Sequence, residues 1–138
     1  MIFYAIEPEV AGGFGSGTIM DSSTHPPVVF RLHYLFDGWR GDELLESFPC
    51  FIVTKALGDA LLVNGLTGFE FGEVEIEINP DVRDELPGEL PEFYWLKITG
   101  EIPKNDFGRA PDLRLALSQR ALGISNQFTL KNALIEEL

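Results

Sequence analysis

The sequence is poor in the residues that build most catalytic and metal centres. Its 138 residues include one cysteine, Cys50, and two histidines, His25 and His33, which show no tight spacing. A lone cysteine excludes an intramolecular disulfide, so a reducing compartment is compatible with folding. Ligands this widely spaced do not form a metal-binding motif, and we expect neither a metal nor another cofactor. Because Cys50 leads an apolar segment, we expect it to be a buried, unreactive thiol.

Basic residues and long hydrophobic segments are also scarce. Lys and Arg number 10 against 22 Asp and Glu, which gives a net charge of −12. Such a surface repels nucleic acid and anionic membranes and favours a basic protein partner, although solubility alone would also explain it. No apolar segment approaches the roughly 20 residues of a membrane helix, and the N-terminus lacks the basic region of a signal peptide. We therefore expect a cytoplasmic protein that binds neither nucleic acid nor membrane.

Short strands and a few short helices are predicted along the chain. Hydrophobic residues make up 45% of the sequence, with eleven Phe, which is enough to fill a core. Helices are predicted after the capping residues Thr54, Asn79 and Ser118. The apolar spacing within Asp42–Phe48 predicts a further helix of about one and a half turns. Strands are predicted at 2–6, 28–36, 51–53, 73–78, 93–99, 113–117 and 129–135. The pattern predicts one α+β domain over residues 1–138, with a mostly antiparallel or mixed sheet.

Side-chain alternation predicts which faces of two strands are buried. In one strand the apolar face consists of Val28, Phe30, Leu32, Tyr34 and Phe36. In another, Val74, Ile76 and Ile78 face the core and glutamates face away, with a break expected at Gly72. The glycine-rich segment AGGFGSG (11–17) lacks the Lys-Ser/Thr pair of a phosphate loop. We therefore expect that segment to be a turn or a flexible loop.

Two acidic groups are the candidate partner-binding residues. The first surrounds Trp39 and comprises Asp37, Asp42, Glu43 and Glu46. An aromatic side chain among acids is typical of an interface hot spot, although a Trp packed under its own turn is an equally good interpretation. The second group is a row of Glu73, Glu75 and Glu77 on one strand face. That row is either a solvated face or a docking face for Lys and Arg. No nucleophile–base pair or metal motif is present, so no enzyme and no catalytic residue is predicted.

Several segments resemble a family of bacterial immunity proteins that occur in polymorphic-toxin gene clusters. They are FDGW, GDELLESFPCFIVT and GLTGFEF within Phe36–Phe71, followed by FYWLKITG, DFG and LALSQRAL. The resemblance implies a cytoplasmic, non-enzymatic protein that binds and neutralises a cognate toxin domain, often a nuclease. The acidic surface of this chain favours a basic toxin. The resemblance supplies no catalytic residues. The alternatives are a small-ligand-binding or regulatory domain with an aromatic pocket, and a hydrolase that uses paired carboxylates.

Overall fold

Twelve short strands, two α-helices and one 3-10 helix form along residues 1–138, all of which the computed structural model describes. No helix is long and apolar enough to cross a membrane. In chain order the elements are β1 (Phe3–Glu7), β2 (Gly12–Phe14), β3 (Ile19–Asp21), β4 (Val28–Phe36), β5 (Leu44–Ser47), β6 (Cys50–Thr54), α1 (Lys55–Val63), β7 (Phe69–Gly72), β8 (Val74–Ile78), the 3-10 helix (Pro80–Glu85), β9 (Phe93–Ile98), β10 (Phe107–Arg109), β11 (Leu115–Ser118), α2 (Gln119–Ser125) and β12 (Leu134–Glu137).

The strands form three four-stranded sheets. The first has the order β10-β11-β1-β12, and the second has the order β5-β6-β9-β7. In the third, β2 and β3 pair with β4 along one edge, and β8 pairs with β4 along the other. Only the β4–β8 ladder is parallel. The α+β class with a mostly antiparallel sheet, predicted from the sequence, is therefore confirmed.

The sheet β5-β6-β9-β7 is the middle layer because its side chains enter two cores. Phe51, Val53 and Leu96 pack into one core together with side chains of β1, β11 and both α-helices. The alternate positions, which include Ile52 and Trp95, pack into a second core with side chains of β4. Strands that are apolar on both faces need cover on both sides. The arrangement therefore stacks the three sheets around β6 and β9.

The predicted helix signals are confirmed. The Thr54 hydroxyl accepts a 3.2 Å hydrogen bond from the Leu57 N–H, and Ser118 caps α2 in the same way. α1 ends at Val63 with Asn64 as its C-cap, and Gly65 follows with a φ of +67°, which suits glycine. Asn79 accepts from the Asp81 N–H at the start of the 3-10 helix. Local capping chemistry thus determines where these helices begin and end.

The strand break at Gly72 is also confirmed. β7 ends at Gly72 and pairs with β9, whereas β8 begins at Val74 and pairs with β4 in a different sheet. Within β8 the glutamates are exposed, and Val74, Ile76 and Ile78 are half-buried against the second core. The alternation predicted for this strand is therefore correct.

Other expectations were wrong. Residues 44–47 form β5 and not a helix, because they pair with β6 throughout their length. Val28 and Phe30 are exposed, whereas Val29 between them is half-buried against the second core, so the predicted alternation fails at this end of β4, where the register with β3 shifts. Gly12–Phe14 of the glycine-rich segment forms β2. The last strand is Leu134–Glu137, further along the chain than predicted, because residues 129–133 hydrogen-bond to other loops.

Candidate functional site

An acidic cleft of about 620 Å³ lies where the end of β1, the 37–43 loop and β5 meet. We use the name acidic cleft for the space lined by Glu7, Glu9, Trp39, Arg40, Glu46 and Glu85, together with neighbouring apolar and backbone atoms. Four glutamates face one arginine in this space. Of the eight residues predicted to bind a partner, the cleft brings together only two, Trp39 and Glu46.

Glu9 fixes the loop that forms one wall of the cleft. Its residue is only 6% exposed, and its carboxylate accepts hydrogen bonds from the backbone N–H groups of Arg40 (2.6 Å) and Asp42 (3.2 Å). Burial raises the pKa of the Glu9 carboxyl, although these two N–H groups oppose the effect. Because each oxygen has its own backbone donor, Glu9 positions the loop.

Trp39 is held in one orientation. Its indole N–H donates to the Asp42 carbonyl at 2.8 Å, and its ring meets Phe93 edge-on with centroids 6.3 Å apart. The ring is half-buried and lines the acidic cleft. Trp39 therefore packs on its own turn, as one interpretation predicted, and it also lines the acidic cleft, while its role as an interface hot spot stays a prediction. A side chain fixed in this way loses little conformational entropy when a ligand binds.

Glu46 supplies a half-buried carboxylate to the cleft. Burial raises its pKa, Arg109 opposes that rise, and the charge of Glu7 adds to it. The Glu46 side chain has no hydrogen-bond or ion-pair partner within the chain. A cation entering the cleft would therefore relieve an unfavourable interaction between neighbouring carboxylates.

Asp42 is not a surface charge. The residue is fully buried, and its two carboxylate oxygens accept hydrogen bonds of 2.9 Å from the side-chain amide and the backbone N–H of Asn132. A buried carboxylate needs such donors because desolvation is costly. Asp42 therefore joins two loops and presents no charge at the surface, and its role in partner binding stays a prediction that this burial does not favour.

Glu43 has a similar internal role. Its carboxylate accepts from the Thr54 hydroxyl at 3.0 Å and from the Thr129 N–H at 2.8 Å. The Glu43 N–H in turn donates to the Thr129 carbonyl. With both carboxylate oxygens engaged and the residue half-buried, Glu43 cannot present a free charge to a partner. The docking role of Glu43 therefore stays a prediction that its internal hydrogen bonds do not favour.

The remaining predicted residues lie outside the acidic cleft. Asp37 is exposed, and its carboxylate accepts from the Asn79 amide at 3.1 Å. Glu73, Glu75 and Glu77 form the predicted row on β8, and all three are exposed. Neither Asp37 nor any member of that row lines the cleft. The row is therefore a separate acidic surface.

Two members of the row already have cationic or polar partners. Arg31 lies 3.2 Å from Glu75, and His33 Nε2 lies 2.9 Å from a Glu77 oxygen. The latter contact is short but is not aligned as a hydrogen bond, so we regard it as electrostatic. The His33 Nδ1 atom accepts from the Gly17 N–H at 2.8 Å. Only Glu73 is free of such contacts, so the row is a weaker docking face than its sequence indicates.

Sequence reasoning missed Glu9 and Asn132, which position the cleft. Glu9 lies 31 residues before Arg40, and Asn132 lies 90 residues after Asp42, so no local pattern connects them. The one local pattern that could have indicated Glu9 is the segment Glu7-Pro8-Glu9, which directly follows a predicted strand.

Burial of Cys50 is confirmed, since this residue is 5% exposed.

No protein-family model, curated protein or solved structure matches the chain. Membership of the immunity-protein family therefore stays a prediction that rests on the resemblance of short segments. The geometry of the acidic cleft is the independent ground for a functional proposal.

Proposed function

We propose that the protein is a non-enzymatic immunity protein that binds a cognate bacterial toxin domain and neutralises it. The observation that carries the proposal is the acidic cleft, in which four glutamates surround a fixed Trp39. The expected partner is basic, as a nuclease-type toxin would be, and the expected location is the cytoplasm. The net charge of −12 favours the same kind of partner.

The chemistry of the cleft suits a Lys or Arg side chain of the partner. Glu7 and Glu46 provide carboxylates for a charge-assisted hydrogen bond, and the Trp39 ring provides a cation–π face. Because Glu9 and Asp42 already hold the loop in place, little ordering is needed on binding. A cationic side chain inserted here would act as an anchor, and the surrounding acidic surface would increase the association rate.

Binding of the genetically linked toxin tests this proposal. The cleft variant combines Glu7→Gln, Glu46→Gln and Glu85→Gln and leaves the loop-holding Glu9 intact. Its matched control combines Glu70→Gln, Glu89→Gln and Glu101→Gln, which removes the same charge from exposed positions outside the cleft. We expect the cleft variant to weaken binding about tenfold or more, and the control to change affinity less than about threefold.

The Trp39→Phe variant separates the contribution of the indole to the dissociation rate from the contribution of surface charge to the association rate. Loss of the indole should raise the dissociation rate about tenfold and leave the association rate nearly unchanged, because rim charges govern encounter. Both rates can be measured at low and moderate salt. Equal effects of the cleft variant and its control would show that the overall negative charge, and not the acidic cleft, determines the affinity for the toxin. Failure of the unmodified protein to bind the toxin would overturn the proposed function.

A further inference from the structure

A second groove in this acidic protein has only cationic residues among its charged lining residues. It lies between the start of β4, the start of β6 and the end of β9, and its volume is about 270 Å³. Lys97 and Arg109 line it, and none of the 22 acidic residues does. The rest of the lining is mainly apolar and includes Pro26, Val29 and Trp95. We call this space the cationic groove.

Arg109 is fixed at one side of the cationic groove without a paired carboxylate. Its guanidinium donates to the Leu113 carbonyl at 3.0 Å and to the Pro49 carbonyl at 2.5 Å, and it lies 5.2 Å from the Phe51 ring centroid. No Asp or Glu oxygen lies within ion-pair distance. Burial lowers the pKa of Arg109, whereas nearby Cys50 and Glu46 oppose that change. A guanidinium has five N–H donors, so donors are left for a ligand.

The turn that holds Arg109 has a strained backbone. Leu113 has a φ of +75° and is the only non-glycine residue in the left-handed region. Its carbonyl is the one that accepts from Arg109, and its N–H donates to the Ala110 carbonyl at 2.8 Å. Strain of this kind persists only where surrounding contacts impose it, and it is frequent at binding sites. Here it orients a carbonyl toward the guanidinium.

Lys97 adds a second charge to the lining of the cationic groove. Its ammonium lies 4.5 Å from the Trp95 ring centroid. Glu70 is its cross-strand neighbour in register, but the two side chains form no ion pair. The other ionisable group in the groove is the Cys50 thiol, whose pKa burial raises to about 12, so it stays neutral. The groove therefore combines two cations that form no ion pair with a mainly apolar lining.

We propose that the cationic groove binds a small organic carboxylate with an apolar body. The carboxylate lies between Lys97 and Arg109, where charge-assisted hydrogen bonds are strong. The body packs against Trp95, Val29 and the prolines. The volume is near the lower end for ligand sites, about 300–1,000 Å³, which favours a small ligand. This site shares no lining residue with the acidic cleft and does not rest on the proposed function.

The test uses 3-phenylpropionate as the probe and its neutral amide as the matched ligand. Calorimetry at physiological salt should show saturable binding of the carboxylate, and the amide should bind at least tenfold more weakly. At this salt the Debye length is about 8 Å, so remote carboxylates contribute little repulsion. In ¹H–¹⁵N spectra the Trp95 indole signal should shift and the Trp39 signal should not. The Trp39→Phe variant assigns the two signals.

Variants locate the site. Lys97→Gln should weaken binding of the probe about tenfold, and Arg109→Gln should weaken it further. Lys131→Gln, which removes an exposed charge outside the groove, should have no effect. If Arg109→Gln fails to fold because its carbonyl contacts are lost, the Lys97 variant decides. No saturable binding, equal binding of the amide, or unchanged binding by Lys97→Gln would each overturn the proposal.

Discussion

At the scale of single residues, buried carboxylates act here as connectors between loops. Glu9 and Asp42 are both buried, and each uses its two oxygens to accept hydrogen bonds from loop donors. Asp42 connects the Trp39 turn to residue 132, near the end of the chain. A carboxylate in such a position stabilises the fold only while its donors are present, because burial without partners is costly. The shape of the acidic cleft therefore depends on hydrogen bonds that buried carboxylates make within the chain.

Asp42→Ala should strongly destabilise the protein. Removal of the carboxylate leaves both Asn132 donors without an acceptor, and we expect a loss of about 3 kcal/mol in the free energy of unfolding. Asp37→Ala is the control, since Asp37 is exposed, and it should cost about 0.5 kcal/mol or less. Urea unfolding of both variants measures the difference. A similar small loss for both would show that Asp42 does not connect the loops.

At the scale of elements, the glycine-rich segment packs closely over a buried histidine of β4. A Cβ atom at Gly15 would lie 2.4 Å from the His33 ring, and one at Gly17 would lie 3.0 Å from its Nδ1 atom. His33 is 3% exposed, so the ring has no free space into which it could move. Thr18 completes the cover by exchanging hydrogen bonds with the His33 backbone. These glycines are therefore needed for close approach.

Gly15→Ala should destabilise the protein, whereas Gly13→Ala should not. The methyl group at position 15 overpacks the His33 ring, which we expect to cost about 2 kcal/mol. A methyl group at position 13, in β2, would meet no other atom within 4 Å, so alanine there should be neutral or slightly stabilising. Thermal unfolding distinguishes the two variants. Equal stability of both would contradict the packing of this segment on His33.

Local signals predicted those elements whose boundaries depend on neighbouring residues. Thr54 as a cap, Gly65 as a helix stop and the alternation in β8 are all of this kind. The helix predicted at 42–48 was wrong because a short apolar spacing fits either structure, and pairing with β6 decided it. The site was predicted least well, since Trp39 and Glu46 reach the cleft but Asp42 and Glu43 are used internally. Their partners, Asn132 and Thr129, are distant in sequence.

At the scale of the whole molecule, negative charge greatly exceeds what the fold neutralises. Only three of the ten basic residues form ion pairs with carboxylates, namely Arg31, Lys55 and Arg114. These pairs are largely exposed, and each contributes about 0–1 kcal/mol. The excess acidic residues therefore repel one another in the compact state, and that repulsion weakens as salt screens it.

Added salt should therefore stabilise the protein. Raising NaCl from about 10 mM to about 100 mM shortens the Debye length from about 30 Å to about 10 Å. We expect the melting temperature to rise by about 4 °C, which corresponds to about 1 kcal/mol for a chain of this size. A variant that combines Glu70→Lys, Glu89→Lys and Glu101→Lys changes the charge by +2 at each position. Its net charge is therefore −6, compared with −12 for the unmodified protein. Its melting temperature should be higher at low salt and should rise less with added salt. An equal rise in both proteins would show that self-repulsion does not limit stability, and the acidic excess would then have no measurable cost in the folded state.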